Sequence, residues 1–337
     1  MNCQKNPLIS VVIGAYNEEE SIAKTLQNLL GQTISNCEII VVDDGSTDST
    51  ADQVQKFDNP CVRLLRTEQN QGLPSALNLG INNARGKYIA RSDADEISLP
   101  LRLERQSEIL DEKEEAKVVA PWYRTVGRYD TKICDVKIPS SRNFDVPDLI
   151  NNGPGIVHGS VMMRKEAVIS VGGYREEFQL AQDYDLWLRM AETFGEGWLY
   201  ILPDILYERS INASRLEKRQ RQRRYATAAR KSAELRQKNH DDTEVINNLA
   251  RCSDVDSEKE YNERELVGMY HYLAGVQLLK QNKIVSARHR FLKAIWFAPL
   301  RLRPWYKLCI TAIPRRKRQY IQSKIKSRIE SRIESDF

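Results

Sequence analysis

Missing from this sequence is any apolar run approaching the roughly 20 residues that a membrane-crossing helix needs. The opening stretch MNCQKNPLISVVIGAY lacks the charged start, long apolar core and cleavage site of a secretory signal, and its short apolar run reads as a first strand. The six cysteines, Cys3, Cys37, Cys61, Cys134, Cys252 and Cys309, are scattered without a C-x-x-C pair. That argues against a zinc site or a disulfide framework and fits a reducing cytoplasm. Two phosphate-binding signatures are also absent: VVIGAYNEEE contains no G-x-G-x-x-G, and no G-x-x-x-x-G-K-[ST] occurs. A phosphate bound here cannot rely on a glycine nest. Hard oxygen ligands with Mg²⁺ or Mn²⁺ would serve instead, because such ions bridge carboxylates to diphosphate oxygens.

What is present is an ordinary globular composition, 41% hydrophobic and 29% charged over 337 residues, enough for one large domain or two modest ones. The net charge of +5 hides an asymmetry. Residues 215–238 carry ten Lys/Arg against two Glu, and residues 301–328 carry ten against none, so the remainder is strongly acidic. An acidic body with basic C-terminal segments is expected to face two kinds of partner.

Four strand-length apolar runs, LISVVIGAY (8–16), CEIIVVDD (37–44), CVRLLR (61–66) and GKYIAR (86–91), lack strict alternation, as strands buried on both faces do. Amphipathic segments lie near 18–30, 48–57 and 73–84. Asn17 is placed to cap the first of these, with Glu20 completing a box three residues on. This alternation predicts an α/β fold with a mostly parallel sheet flanked by helices. Further on, KVVAPWY, GSVMMR and WLYILPDILYE read as strands and LAQDYDLWLRMAETF as a helix, with loops at Gly153-Pro154-Gly155, Gly159 and Gly172-Gly173. Past about 215 strand signals vanish. The expected organisation is a domain over 1–215, a basic helical linker over 216–260 and a helical extension over 261–337.

Open parallel sheets bind ligands beyond the carboxyl ends of their strands. Those ends read Tyr16-Asn17-Glu18, Asp43-Asp44, Arg66 and Asp93-Ala94-Asp95. Helix capping accounts for Asn17 and for Ser46 or Asp48, but not for Asp43 together with Asp44, nor for Asp93 with Asp95. Asp93, Asp95 and Glu96 crowd into four residues, where like charges repel. Either a solvated turn spreads them into water or a cation sits between them.

The segments ISVVIGAYNEEESIAKTLQNLLGQT, EIIVVDDGSTDST, NQGLPSALNLGINNARGKYIARSDADE and GGYREEFQLAQDYDLWLR resemble, in order and spacing, the family-2 glycosyltransferases of the GT-A fold, over roughly residues 7–210. The resemblance implies a GT-A type sheet, a nucleotide-sugar donor with UDP as first expectation, a divalent metal (Mn²⁺ or Mg²⁺) and inversion at the anomeric carbon. Carried over residue by residue, it implies that Ala15, Tyr16, Asn17, Glu18, Asn70, Gly72 and Ala94 line the nucleotide-sugar. Asp44 would accept a hydrogen bond from the base, Asp93 would lie at the ribose or the metal shell, and Asp95 would bind the metal. Glu96 stands where the family often has Asp, which leaves the role of that position open.

Helical spacing puts Asp183 on the face of Leu186, Trp187 and Met190, turned toward the protein, while Asp185 points the other way and pairs with Arg189 as a surface bridge. A carboxylate on an inner face is costly unless it caps the helix or does chemistry, and the residues alone leave both open. The family's general base lies at Asp183, in a motif usually Glu-Asp and here Gln182-Asp183. An inverting transfer needs one such base for the acceptor hydroxyl. His158 reads from the residues as structural, but the family commonly has His there. His158 and Gln182 are therefore carried as candidates near the acceptor or diphosphate. The late metal-contacting His of some relatives has no counterpart in LYERSINASR. QRQRRY lacks the Trp of the processive Q-x-x-R-W motif and no membrane span follows it, so processive synthesis is not expected.

HYLAGVQLLKQNKIVSARHRFLKAIWFAP resembles one tetratricopeptide unit, with Gly275, Ala287, Phe291, Ala294 and Pro299 at the small and aromatic positions. One repeat cannot bury its own face, so it is expected to pack on the catalytic domain or on a partner subunit, a second copy included. Residues 301–328 interleave cations with Leu302, Trp305 and Tyr306. The acidic body argues against nucleic acid, and an anionic membrane surface is expected instead, giving peripheral attachment on the cytoplasmic face. The expected activity is non-processive inverting transfer to a glycan or lipid-linked acceptor of cell-surface polysaccharide synthesis. Two other classes stay open. Against a sugar-phosphate nucleotidyltransferase stands GAYNEEES, acidic and glycine-poor where such enzymes have a basic glycine-rich loop. Against a helical scaffold with an inactive transferase domain stand the intact Asp44, Asp93, Asp95 and Asp183.

Overall fold

The computed structural model describes residues 6–127, 132–211, 219–251 and 263–313. The chain divides into two compact units, one made of residues 1–126, 135–210 and 218–256, the other of 127–134, 211–217 and 257–337.

In the first unit, β1 (Ile9–Ala15), β2 (Cys37–Asp43), β3 (Val62–Arg66) and β4 (Tyr88–Arg91) pair in parallel in the order β3-β2-β1-β4. Helices α1 (Ile22–Leu30), α2 (Thr50–Gln55) and α3 (Leu73–Asn83) connect them. The two-residue period sends Val12, Ile40, Val42 and Ile89 into one core layer with Leu77 and Ile81 of α3, and Val11, Ile13, Ile39 and Val41 into the other with Leu26 and Leu29 of α1. Both faces are covered, which is why these runs are continuously apolar.

Beyond β4 the sheet departs from the mostly parallel expectation. Strand β8 (Met162–Arg164) runs antiparallel to both β4 and β6 (Val118–Val126); β6 pairs in parallel with β9 (Leu199–Ser210), and the short β5 (Ile97–Ser98) is antiparallel to β9. With β7 (Lys132–Val136) beside β6, the sheet is mixed and nine-stranded. A three-residue strand, Met-Met-Arg, is too short to carry a pattern that encodes direction. Here direction is set by the connection, which leaves α5 (Val146–Asn152) and re-enters the sheet through a short 3-10 turn at His158–Ser160. Helices α4 (Arg102–Glu112), α6 (Lys165–Ser170) and α7 (Gln182–Phe194) complete the cover.

Two local expectations are corrected. Helix α1 starts at Ile22, and Asn17 does not cap it. Asn17 adopts φ 55°, and its Oδ1 accepts from Thr47 N (2.9 Å), bracing the turn after β1 against the turn after β2. Asp185 is fully buried and pairs with Arg189 (2.7 Å) inside the protein, not at its surface. The single-face reading fails because α7 is enclosed on every side, with Tyr184 through Ala191 all buried. Residues read from sequence as a basic linker form α8 (Arg219–Gln237) and α9 (Thr243–Arg251), which contribute Tyr225, Ala228, Ala229, Ala233 and Leu249 to the first unit's core. Asp242 ties them together. Burial opposes its ionisation, but hydrogen bonds from Ser232, Arg175 and Arg236 outweigh that and lower its pKa to about 2.

The buried Glu38 on β2 pins the sheet near its start. It accepts from Ser10 Oγ (2.7 Å), Arg85 N (2.8 Å), Arg85 Nη2 (2.7 Å) and Arg63 Nη1 (2.8 Å). Burial again opposes ionisation, yet these donors lower the pKa from 4.5 to about 2. A depressed carboxylate stabilises the fold above its unfolded pKa and loses that contribution as pH falls through the folded one. At most ~3 kcal/mol should therefore be present above pH 4.5 and vanish near pH 2. Chemical denaturation of Glu38→Gln beside the parent should show a stability gap at pH 7 that narrows toward pH 3. A constant gap would remove Glu38 from the acid response.

In the second unit, α10 (Glu263–Lys280) and α11 (Ile284–Phe297) form a hairpin through Asn282, at φ 61°, and α12 (Leu302–Thr311) packs on α11. A Cβ on Gly275 would lie 2.6 Å from the Phe291 ring, so glycine is what admits that ring. Ala287, Phe291 and Ala294 are fully buried. Residues 314–328 of the basic tail lie outside the described residues. Among the described residues no helix is long and apolar enough to cross a membrane.

Candidate active site

The register sets the site. Ala15 pairs with Asp43 and Val12 with Arg91, so the turns after β1, β2 and β4 leave from one edge of the sheet. Asp44 N donates to Ala15 O (2.8 Å), closing the gap between the first two turns.

After β4, the three crowded carboxylates have three different surroundings. Asp93 pairs with the buried Arg91 (2.5 Å), and its backbone N–H donates to Tyr207 Oη (3.4 Å). Asp95 is partly exposed and accepts a long contact from Ser210 Oγ (3.5 Å). Glu96 turns inward, 1% exposed, with Arg209 Nε 3.8 Å away. Between them, Ala94 O accepts from Thr25 Oγ1 (2.5 Å), which fixes the turn to α1. Gly159 presses on the same place: a Cβ there would sit 2.4 Å from Tyr207 Oη and 2.8 Å from Asp93 Oδ2. No side chain fits.

Two further carboxylates share this field. Burial raises the proton affinity of Glu18, the Ser21 hydrogen bond opposes it, and the charges of Asp95 and Asp93 raise it further. At the start of α7, burial raises that of Asp183, its neighbour's Tyr184 N–H (2.9 Å) opposes, and Asp93 raises it again. Glu18, Asp93, Asp95 and Asp183 are thus brought into one electrostatic group. Gln182 beside Asp183 is buried. His158 lies close by, its Nε2 sharing a hydrogen bond with Tyr174 Oη (2.7 Å) and its ring edge-on to Trp187. Burial, then the nearby Arg91, pushes its pKa down to about 3, so the imidazole is neutral at ordinary pH.

The nucleotide-side candidates gather separately. Asp44 is buried and accepts from Thr67 Oγ1 (3.0 Å), Gln71 N (3.0 Å) and Gly72 N (2.8 Å). These donors fill most of the carboxylate's acceptor capacity, so a base N–H would have to displace one of them. Asn70 Oδ1 also accepts from Gly72 N (3.0 Å). Gly72 has φ 94°, in the region that favours glycine, and a Cβ there would collide with the Gln179 side chain. Tyr16, 44% exposed, stands at the end of β1.

Sequence reasoning missed Arg91, Tyr207, Gln179 and Arg209, and read Gly159 only as a loop residue. Arg91 alone had a signal, a cation directly before three acids. The others come from distant segments whose meeting only the fold determines.

The residues fit a divalent metal of one kind. Among the described residues no group of three acidic, His or Cys side chains forms a cage for an ion, and Asp93 is already held by Arg91. A partly exposed Asp95 inside an acidic field suits an ion that takes one or two protein carboxylates and fills its remaining positions from a phosphate ligand and water.

Sheet, strand-end carboxylates and half-buried Asp183 at the start of α7 describe an α/β domain with an acidic ligand edge, and comparison with known proteins gives its class. The profile described as Glycosyl transferase family 2 matches residues 10–172. EpsE of Bacillus subtilis (strain 168), provisionally named a glycosyltransferase, is 33% identical over 207 residues, 60% of this chain and 72% of its own. An uncharacterised glycosyltransferase of Haemophilus influenzae is 28% identical over 232 residues, 63% of this chain and 67% of its own. Among solved structures, TarS of S. aureus (residues 1–349) in complex with UDP shares the fold, with a TM-score of 0.54 at 16% identity, covering 86% of this chain and 90% of that one. The same TarS fragment with UDP-GlcNAc gives 0.51 at 16% identity, covering 91% and 82%. The chain belongs to glycosyltransferase family 2 and is a glycosyltransferase with a C-terminal helical region.

Proposed function

We propose that this glycosyltransferase is a non-processive, inverting enzyme with a GT-A type domain. It moves a sugar from a nucleotide-sugar, UDP-linked, to a glycan or lipid-linked acceptor in cell-surface polysaccharide synthesis. The observation that carries the reading is the turn after β4, which holds Asp93 and Asp95 and is packed against Gly159 and Tyr207, with Asp183 close enough for the charge of Asp93 to raise its proton affinity. The fold shared with TarS, solved with UDP and with UDP-GlcNAc, supports the choice of donor class.

In this reading Asp183 takes the proton of the acceptor hydroxyl as its oxygen attacks the anomeric carbon and the bond to the diphosphate breaks. The raised proton affinity suits that role, since a base works best with a pKa near the operating pH. Arg91 holds Asp93, and Tyr207 and Gly159 hold the turn, so the site is built before the donor arrives. Asp95 would hold Mn²⁺ or Mg²⁺, and the chemistry such an ion would supply is neutralisation of charge on the leaving group. Arg209, near both Glu96 and Asp183, offers the leaving group a protein cation. Asp44, Asn70 and Gly72 shape the loop that frames the nucleotide, and Tyr16 offers it an aromatic face. His158, neutral and tied to Tyr174, acts by packing on the acceptor side.

A thermal-shift screen of nucleotide-sugars with and without Mn²⁺ tests the donor class, because a ligand that binds only the folded state raises apparent stability by mass action. A UDP-sugar should give the largest shift, and only with the metal. Shifts confined to another nucleotide would replace UDP, and none with any would sink the reading.

A further inference from the structure

We propose that the second unit carries a docking surface for an anionic lipid leaflet, formed by exposed strips of α11 and α12. On α11, Val285 (81% exposed), Leu292 and Trp296 (74% exposed) recur at seven- and four-residue steps. That confines them to about 40° of the helix circumference. The buried Ala287, Phe291, Ala294 and Ile295 occupy another side of the same helix. On α12, Leu302, Trp305 and Tyr306 are exposed at three- and four-residue steps, and Leu300 is 94% exposed on the connector before them. Trp305 Nε1 donates to Pro299 O (3.0 Å), which fixes the indole against that connector.

Along α11, α12 and their connector the charge has one sign. Residues 283–313 contain seven Lys/Arg and no Asp or Glu. Exposed Arg288 and Lys293 flank the α11 strip, and exposed Arg303 follows Leu302 on α12. Arg301 is offset by Glu265 of α10 (3.3 Å). An apolar strip bordered by cations is how a helix lies in a membrane interface. Trp and Tyr settle at headgroup level, and each nearby Lys or Arg is attracted to an anionic leaflet.

Charge complementarity selects this occupant. A two-fold contact with a second copy would set the same basic strips against each other, and residues 283–313 offer no carboxylate to pair across it. Nucleic acid would satisfy the cations but leave Val285, Leu292, Leu300 and Leu302 uncovered, since aliphatic side chains do not stack on bases. A lipid surface covers both. The surface also begins earlier than the 301–328 segment expected from sequence, because Val285, Leu292 and Trp296 belong to the tetratricopeptide-like hairpin.

Flotation of the full chain with 7:3 phosphatidylcholine:phosphatidylglycerol vesicles, beside pure phosphatidylcholine, tests this. Recovery is expected on the anionic vesicles at low salt and should fade at high salt, where screening shortens the attraction. Both Trp296→Ser/Trp305→Ser and Lys293→Glu/Arg303→Glu should lower the bound fraction at least ~10-fold, the scale of losing buried apolar area or several interfacial charges. Unchanged circular dichroism and melting in each would show that the fold is intact. Absence of recovery on anionic vesicles overturns the proposal, as does recovery that neither double variant alters. A dimer by light scattering that the Trp pair dissolves, or a duplex DNA gel shift without vesicle binding, would assign the strips to those partners instead.

Discussion

Asp183→Asn is expected to leave nucleotide binding unchanged while lowering turnover by at least ~10²-fold, the scale of losing a general base. The substitution keeps the shape of the side chain and its place at the start of α7, where Oδ1 accepts from Tyr184 N. What it removes is a carboxylate that burial and Asp93 together make unusually basic. The sign of the pH dependence follows. A raised pKa means Asp183 holds its proton to higher pH than an ordinary Asp, so the parent's rate should fall on the acid side as Asp183 protonates. The Asn variant should lack that acid limb. Steady-state kinetics across pH, with nucleotide affinity measured separately, would check both. Turnover within a few-fold of the parent would place the base elsewhere, since α7 starts at Gln182 with Ala181 at its cap and leaves Asp183 no capping role.

The second large effect is expected from Asp95→Asn, which should abolish metal-dependent donor binding. A neutral amide is a much poorer ligand than a carboxylate for a hard divalent cation. The neighbours are poor substitutes: Asp93 is engaged by Arg91 and Glu96 is turned into the protein beside Arg209. Electron paramagnetic resonance of Mn²⁺ can follow this, because the free ion's signal is lost on binding. The parent with UDP should deplete the free signal and Asp95→Asn should not. Equal depletion would remove Asp95 from the site.

The first hundred residues were legible because each segment declares itself locally. The β-branched runs at 9–15 and 37–43 are covered on both faces and show it in composition, and α3 (Leu73–Asn83) fills the amphipathic segment read at 73–84. The strand-end carboxylates were legible for the same reason, since the topology of a parallel sheet fixes where its strands end. Features that depend on what a segment meets were not. The direction of β8 follows from its connection. Burial of Asp185 follows from cover on both sides of α7, which periodicity within one helix cannot reveal. Glu38 looks like a polar interruption of a strand until Ser10, Arg63 and Arg85 converge on it. Glu96 is the instructive case: in sequence it continues an acidic motif, and in space it has left that motif for the interior. Its carboxylate lies 3.8 Å from Arg209.

Whether the Asp93–Asp95 turn receives a metal–diphosphate is tested most directly by calorimetric titration of the nucleotide selected in the thermal-shift screen, UDP by expectation, into the full chain. One titration contains Mn²⁺ and the other EDTA. Saturable one-to-one binding is expected with Mn²⁺, weakened at least ~10-fold by EDTA, a difference of about 1.4 kcal/mol or more. Equal affinity in EDTA, or no binding in either buffer, would contradict it.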